Sequence, residues 1–261
     1  MKDVLYKELS KPKLKNPVLV QGLPGFGQVG RLAAEHMIKE LKAVKFAELI
    51  SPSFPPEVFI DKEGVIRLIK NEFYFYKKGK AELIIVLGDS QATDVRGQYE
   101  LSEAILEVIM KYNVKTIFTM GGYATGVLKE KPTVFGAATD AELVKKYEKY
   151  DVIFRTDTER GSIVGVSGLV LGLGALKGIQ GVCLMGETPG HPLFVDARSA
   201  EAVLQVLSKI LGVKMSMAAL EKRAEEIEKF RATIQEMIQK SAKGTEQQSK
   251  GTIQEQLRYI G

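Results

Sequence analysis

The chain has 261 residues, 45% of them hydrophobic and 26% charged, enough apolar material to bury a sizeable core without disulfide or metal staples. A single cysteine, Cys183, excludes an intramolecular disulfide and a multi-thiolate zinc site, and two histidines, His36 and His191, disfavour a His-rich metal centre. The net charge of +5, from 37 basic and 32 acidic residues, is spread along the chain without the basic stripe that nucleic-acid binding needs.

The opening segment MKDVLYKELSKPKLKNP lacks the apolar core of a signal peptide, which predicts a cytoplasmic protein. A first strand is predicted at Val18–Gln21, followed by a helix over Gly30–Lys42. From Glu57 to Tyr76, Val/Ile/Phe-rich runs around an Asp-Lys-Glu-Gly turn predict an antiparallel meander. Strand and helix patterns then alternate: strand Leu83–Leu87, helix Tyr99–Tyr112, strand Thr116–Met120, helix Asp140–Tyr147 and strand Val152–Phe154. The stretch Gly161–Gly186 is long and apolar enough to suggest a membrane span. Its eight glycines and Lys177 point instead to a buried β-α-β unit: strand Ile163–Val166, helix Leu169–Leu176 and strand Gly181–Met185. A helix over Ala197–Leu211 closes this part, with Asp196 as its N-cap. The alternation predicts one layered α/β domain, residues 1–212, on a mixed, mostly parallel sheet.

Composition changes after Gly212. Met215–Ser241 contains no Gly or Pro and carries an apolar stripe, Met217, Leu220, Ala224, Ile227, Phe230, Ile234 and Met237/Ile238. This predicts a helical arm over residues 213–241, about 25 residues of it helical, that packs either on its own domain or against another subunit. Residues 242–261 form a polar tether, expected to be flexible, that ends in Leu257, Tyr259 and Ile260. Apolar side chains at the tip of such a tether suggest a docking peptide.

Two motifs carry candidate chemistry. The run Gly22-Leu23-Pro24-Gly25-Phe26-Gly27-Gln28-Val29-Gly30 contains G-x-G-x-x-G between a strand and a helix, with Glu48 about twenty residues on. Pro24 in the turn, and a meander where a further βαβ unit should follow, favour a closely packed turn over a dinucleotide cradle, so no cofactor is expected. The second motif, Gly186-Glu187-Thr188-Pro189-Gly190-His191-Pro192, offers Glu187, His191 and Asp196 as an acid-base set, which Asp89, Asp94 and Arg96 could join. Turn formation and helix capping explain the same residues without chemistry. Ser90, Ser162 and Ser167 lie in no nucleophile elbow, and Cys183 sits in an apolar strand.

Taken in order, the Gly22–Gly30 run with Ala33-Ala34, Gly121-Gly122-Tyr123, Ser167-Gly168-Leu169 and Gly186-Glu187-Thr188-Pro189-Gly190 resemble the PAC2 family of proteasome assembly chaperones in an archaeal-type form. The resemblance covers roughly residues 15–212. It implies an α/β fold similar to purine nucleoside phosphorylases without an established enzymatic activity, homo-oligomers, and a chaperone role in assembling proteasome α-subunits into rings. Homo-oligomers would use the stripe Met217, Leu220, Ala224, Ile227, Phe230, Ile234 and Ile238. Proteasome activators and some assembly chaperones also dock a C-terminal hydrophobic-Tyr-X peptide between α-subunits. Here Leu257, Arg258, Tyr259, Ile260 and Gly261 would play that part, with Tyr259 third from the end and Arg258 before it. The alternative is a phosphorylase- or hydrolase-like enzyme acting on a nucleoside or related small molecule, an analogy from the fold alone.

Overall fold

A computed structural model describes residues 3–154, 161–190 and 195–230. Strand β1 (Leu5–Glu8) precedes β2 (Val18–Gly22), whose chain turns into helix α1 (Val29–Leu41) and returns as β3 (Val44–Ile50). A hairpin of β4 (Val58–Ile60) and β5 (Ile66–Leu68) leads to β6 (Asn71–Lys78) and β7 (Ala81–Gly88). Helix α2 (Val95–Met110), β8 (Thr116–Ala124), β9 (Val134–Ala138), α3 (Ala141–Tyr147) and β10 (Val152–Ile153) follow. Then come α4 (Val166–Leu176), β11 (Gln180–Thr188) and α5 (Ala197–Leu211). A last helix, α6, runs over described residues 218–230.

Nine strands form one sheet in the order β1-β3-β6-β7-β2-β8-β11-β9-β10. Its centre, β7-β2-β8-β11, is parallel, and antiparallel pairings flank it on both sides. The central strands are apolar at consecutive positions because both of their faces are covered. Val20, Ile85, Phe118, Val182 and Leu184 pack under α1, α3 and α5. Leu19, Ile84, Val86, Ile117 and Cys183 pack under α2 and α4 on the other face. One-residue alternation along β2 and β7 therefore feeds two cores.

The mixed α/β architecture stands as expected from sequence, and α5 has the expected bounds. The expected meander over Glu57–Tyr76 forms only in part: β4 and β5 pair as a separate hairpin, and β6 joins the large sheet between β3 and β7 instead of pairing with β5. Other bounds differ. The predicted strand Ile163–Val166 is absent: Gly165 turns with φ +88° and Val166 already opens α4. β10 ends at Ile153. Strands β1, β3 and β9 had no sequence expectation. The first compact unit runs through Leu220. Helix α6 begins at residue 218 rather than Met215, because the stretch before it is held in the body: His36 Nε2 lies 2.6 Å from the Ser216 carbonyl. Among the described residues no helix is long and apolar enough to cross a membrane.

Candidate functional site

The sequence motifs converge where β2, β8 and β11 end. Gly22 closes β2, a single 3-10 turn (Phe26–Gln28) follows, and α1 starts at once. A Cβ on Gly22 would overlap the Gly30 carbonyl, and one on Gly30 would overlap the Met120 carbonyl of β8. At Gly27, φ is +61°, and a Cβ there would lie 2.7 Å from Thr188 Oγ1. These glycines let the helix start sit directly on the sheet backbone. The Gly27 carbonyl also accepts from the Asp196 N–H at 2.8 Å, so the turn is tied to the start of α5.

The acidic residue that the dinucleotide pattern requires is elsewhere. Glu48 lies on β3, three strands from β2, or roughly 14 Å at ordinary strand spacing. It pairs with Lys70 and Lys45, the latter at 3.0 Å, and both lysines also reach Glu72. Burial opposes the Glu48 charge, but the two ammonium groups outweigh it and hold the carboxyl below its ordinary range.

Glu187, at the end of β11, is a buried carboxylate with a full set of partners. Lys129 Nζ lies 2.9 Å from its Oε2, and the Thr133 N–H donates to the same oxygen at 3.3 Å. Burial pushes its pKa up, yet the Lys129 pair and the Thr133 hydrogen bonds win, and the group stays ionised below the usual carboxylate range. It is therefore a fixed anion rather than a proton donor at neutral pH. Asp196 caps α5 by accepting from the Ser199 N–H at 3.0 Å, as expected. The Ser199 hydroxyl donates to the Glu187 carbonyl, so one serine links the two acidic positions through backbone and cap rather than through facing carboxylates. His191 lies outside the described residues.

The proposed additions to that set are not brought to it. Asp89 accepts from Arg67 Nη2 at 3.1 Å and from the Lys70 N–H at 3.2 Å. Asp94 caps α2 through the Gly97 N–H at 2.8 Å, and Arg96 pairs with Glu100 one helical turn on. Ser90 donates to the Gln91 carbonyl, and Ser167 accepts weakly from Gln21 at 3.5 Å. Burial pushes the Cys183 thiol up to about 11, which leaves it protonated and unreactive at neutral pH. No group of three or more His, Cys, Asp or Glu among the described residues could hold a metal ion.

The apolar stripe divides. Leu220 is buried in the core under α1 and α5, with Met217 packed against it. Ala224 is buried, Ile227 is half-buried and Phe230 is exposed. Ile234, Ile238 and the tail residues Leu257, Arg258, Tyr259, Ile260 and Gly261 lie outside the described residues. Sequence reasoning missed Lys129, Thr133 and Ser199, whose roles depend on chain reversals that no local pattern announces. It also missed the exposed apolar side chains of the β4–β5 hairpin, whose signal was the apolar run itself.

Residues 19–235 match the PAC2 family. An uncharacterized protein of Methanocaldococcus jannaschii, MJ1210, is 43% identical over 248 residues, covering 95% of this chain and 93% of that protein. The crystal structure of Pyrococcus furiosus PbaB, described as an archaeal proteasome activator, is similar with a TM-score of 0.86 at 42% identity. That match covers 90% of this chain and all of PbaB (100%). The monoclinic structure of Pyrococcus furiosus PbaA, described as an archaeal homolog of proteasome-assembly chaperone, gives a TM-score of 0.76 at 29% identity, covering 95% and 98% of the two chains.

Proposed function

The chain belongs to the PAC2 family, and from that premise we propose that it is a non-catalytic chaperone or scaffold of proteasome assembly that binds proteasome α-subunits. The observation that supports this reading is the similarity to PbaA, described as an archaeal homolog of proteasome-assembly chaperone, over 98% of that chain. The match to PbaB, described as an archaeal proteasome activator, supports a proteasome-related role more broadly. The chemistry of the strand ends agrees with it. Each carboxylate that could have served as acid or base there is engaged in an ion pair or a helix cap.

Function then rests on surfaces. The chain acts as a homo-oligomer, and Leu257, Arg258, Tyr259, Ile260 and Gly261 form a tethered docking peptide for the α-subunits. A tether of about ten residues would hold each peptide near a millimolar effective concentration, so several weak contacts on one oligomer add up. Tyr259 supplies most of the buried area, flanked by Leu257 and Ile260.

The test is a pull-down of proteasome α-subunits with the full chain and with a chain ending at Ser241. Retention by the full chain and at least tenfold weaker retention by the shorter one is the expected result. Equal retention would remove the tail from the mechanism, and no retention by either would remove the chaperone reading itself.

A further inference from the structure

Strands β2, β7 and β8 run parallel, so the segments that lead into them gather at one end of the sheet, opposite the glycine turn. These are residues 11–16 before β2, the β6–β7 turn at residues 77–80, and residues 111–115 between α2 and β8. Far apart in sequence, they are tied together in the fold. Lys77 Nζ donates to the Lys13 carbonyl at 2.9 Å, the Lys15 N–H donates to Glu82 Oε2 at 2.6 Å, and Asn113 Nδ2 donates to Asn16 Oδ1 at 2.8 Å.

The charge at this end exceeds that of the whole chain. Residues 11–16, 77–82 and 111–115 hold eight lysines, no arginine and one carboxylate, Glu82, a net of 8 − 1 = +7. The full chain is +5, so everything else sums to 5 − 7 = −2. All eight lysines are exposed. Lys77 is taken by Glu82 at 2.6 Å, Lys11 by Glu8 of β1 at 3.4 Å, and Lys111 Nζ lies 4.5 Å from the centre of the Tyr6 ring. Lys13, Lys15, Lys78, Lys80 and Lys115 have no carboxylate partner among the described residues. Strands β7, β2 and β8 are neighbours, ~5 Å from one to the next, well inside the screening length of about 8 Å, so the fields of the three segments add.

We propose that this lysine-bearing end of the body is a docking surface for the acidic face of a protein partner. Three observations select a protein over other polyanions. Every base here is a lysine, so the planar guanidinium fork that matches a phosphate is absent, while a point charge on a flexible stem suits carboxylates scattered over a surface. No aromatic ring is offered to a stacking base: Tyr112 meets Phe46 edge to face at 5.4 Å, and Lys111 covers Tyr6. No apolar side chain stands free to enter a bilayer, since Leu14 and Tyr112 are half-buried and Val114 is buried, and stable membrane attachment takes a second signal besides charge. A contact of this kind steers and orients the encounter and fades with salt. The inference goes beyond the chaperone reading and does not rest on it.

The experiment is fluorescence anisotropy on the full chain with labelled poly-L-glutamate as the probe, at about 50 mM and about 300 mM salt. The parent is compared with Lys13→Gln/Lys78→Gln/Lys80→Gln and with a control that loses the same charge elsewhere, Lys145→Gln/Lys146→Gln/Lys149→Gln, beside β9 and β10 at the far edge of the sheet. All six side chains are exposed, so circular dichroism and the thermal midpoint should not move. The parent should bind saturably at low salt and at least tenfold more weakly at high salt. At low salt the first variant should bind at least tenfold more weakly than the parent, and the control should bind like the parent.

A parent that does not bind the probe, or a loss of binding no greater in the first variant than in the control, would overturn the inference. Competition tests the choice of partner. Oligothymidylate, or vesicles containing phosphatidylserine, that displace poly-L-glutamate from the parent at a lower concentration of charge would overturn it too, and would assign the surface to nucleic acid or to a membrane. The pull-down described above tests the chaperone reading separately, so the two can fail independently.

Discussion

The strand ends at β2, β8 and β11 and the β4–β5 hairpin are opposites in how their side chains are used. At the strand ends, backbone approaches backbone so closely that glycine is required, and a buried carboxylate meets both a lysine and a backbone donor. On the hairpin, one face is tied down and the other holds four aliphatic side chains against water. The first region resembles an active site in sequence and is packing in space. The second has no motif and exposes apolar side chains to water. The conspicuous glycines therefore describe how the body is built, and an exposed aliphatic face lies where the sequence is merely apolar.

That contrast is broken most severely at Gly30. In an ordinary helix, Gly→Ala stabilises by about 1 kcal/mol. Here the added Cβ would overlap the Met120 carbonyl, so Gly30→Ala should instead destabilise by about 3 kcal/mol, seen as a lower urea midpoint. A higher midpoint would mean that the helix start has room after all, and the case against a ligand in that turn would weaken.

Next comes Lys129→Met. It leaves Glu187 buried with one donor fewer, and because Lys129 is itself half-exposed the cost should be about 1–2 kcal/mol at pH 7. The pH dependence has a definite sign. The folded-state pKa of Glu187 lies below its ordinary 4.5, so its stabilisation is complete above that value and is lost as pH falls through the folded value. The gap between parent and Lys129→Met should accordingly shrink in urea titrations repeated at pH 3. A gap that holds constant would show that the ion pair does not set the Glu187 charge.

Asp196→Ala should cost less, about 1 kcal/mol, the ordinary worth of an N-cap. For a body of this size that lowers the thermal midpoint by about 2–4 °C. A drop several times larger would indicate that Asp196 does more than cap α5.

Much of this architecture was legible. The central strands and α1, α2, α3 and α5 were visible because burial on both faces leaves long apolar runs and helical periods between them. The strands without a sequence signal each have a physical reason. β1 is a largely exposed edge strand paired on one side only, so it carries little apolar pattern. β3 shifts register between Lys45 and Ala47, which breaks its period-two alternation. β9 contains Gly136, required because a Cβ would meet Val152 and Phe154, and a central glycine reads as a turn. At the candidate site the cap Asp196 and the closely packed glycine turn were legible, since both are local devices. Lys129 was not, because its partner lies 58 positions away (187 − 129) and the pairing is made by the fold.

The smallest expected effect is the most informative about the hairpin. Ile66→Thr keeps a β-branched side chain on β5, so strand preference is preserved, and it removes apolar area only from the open face. Since Ile66 is already largely in water, the fold should change by less than about 0.5 kcal/mol in dilute samples. The midpoint of thermal unfolding should therefore stay close to the parent's. A drop as large as that of Asp196→Ala would show that Ile66 is packed rather than open to water, and the two regions would no longer differ in kind.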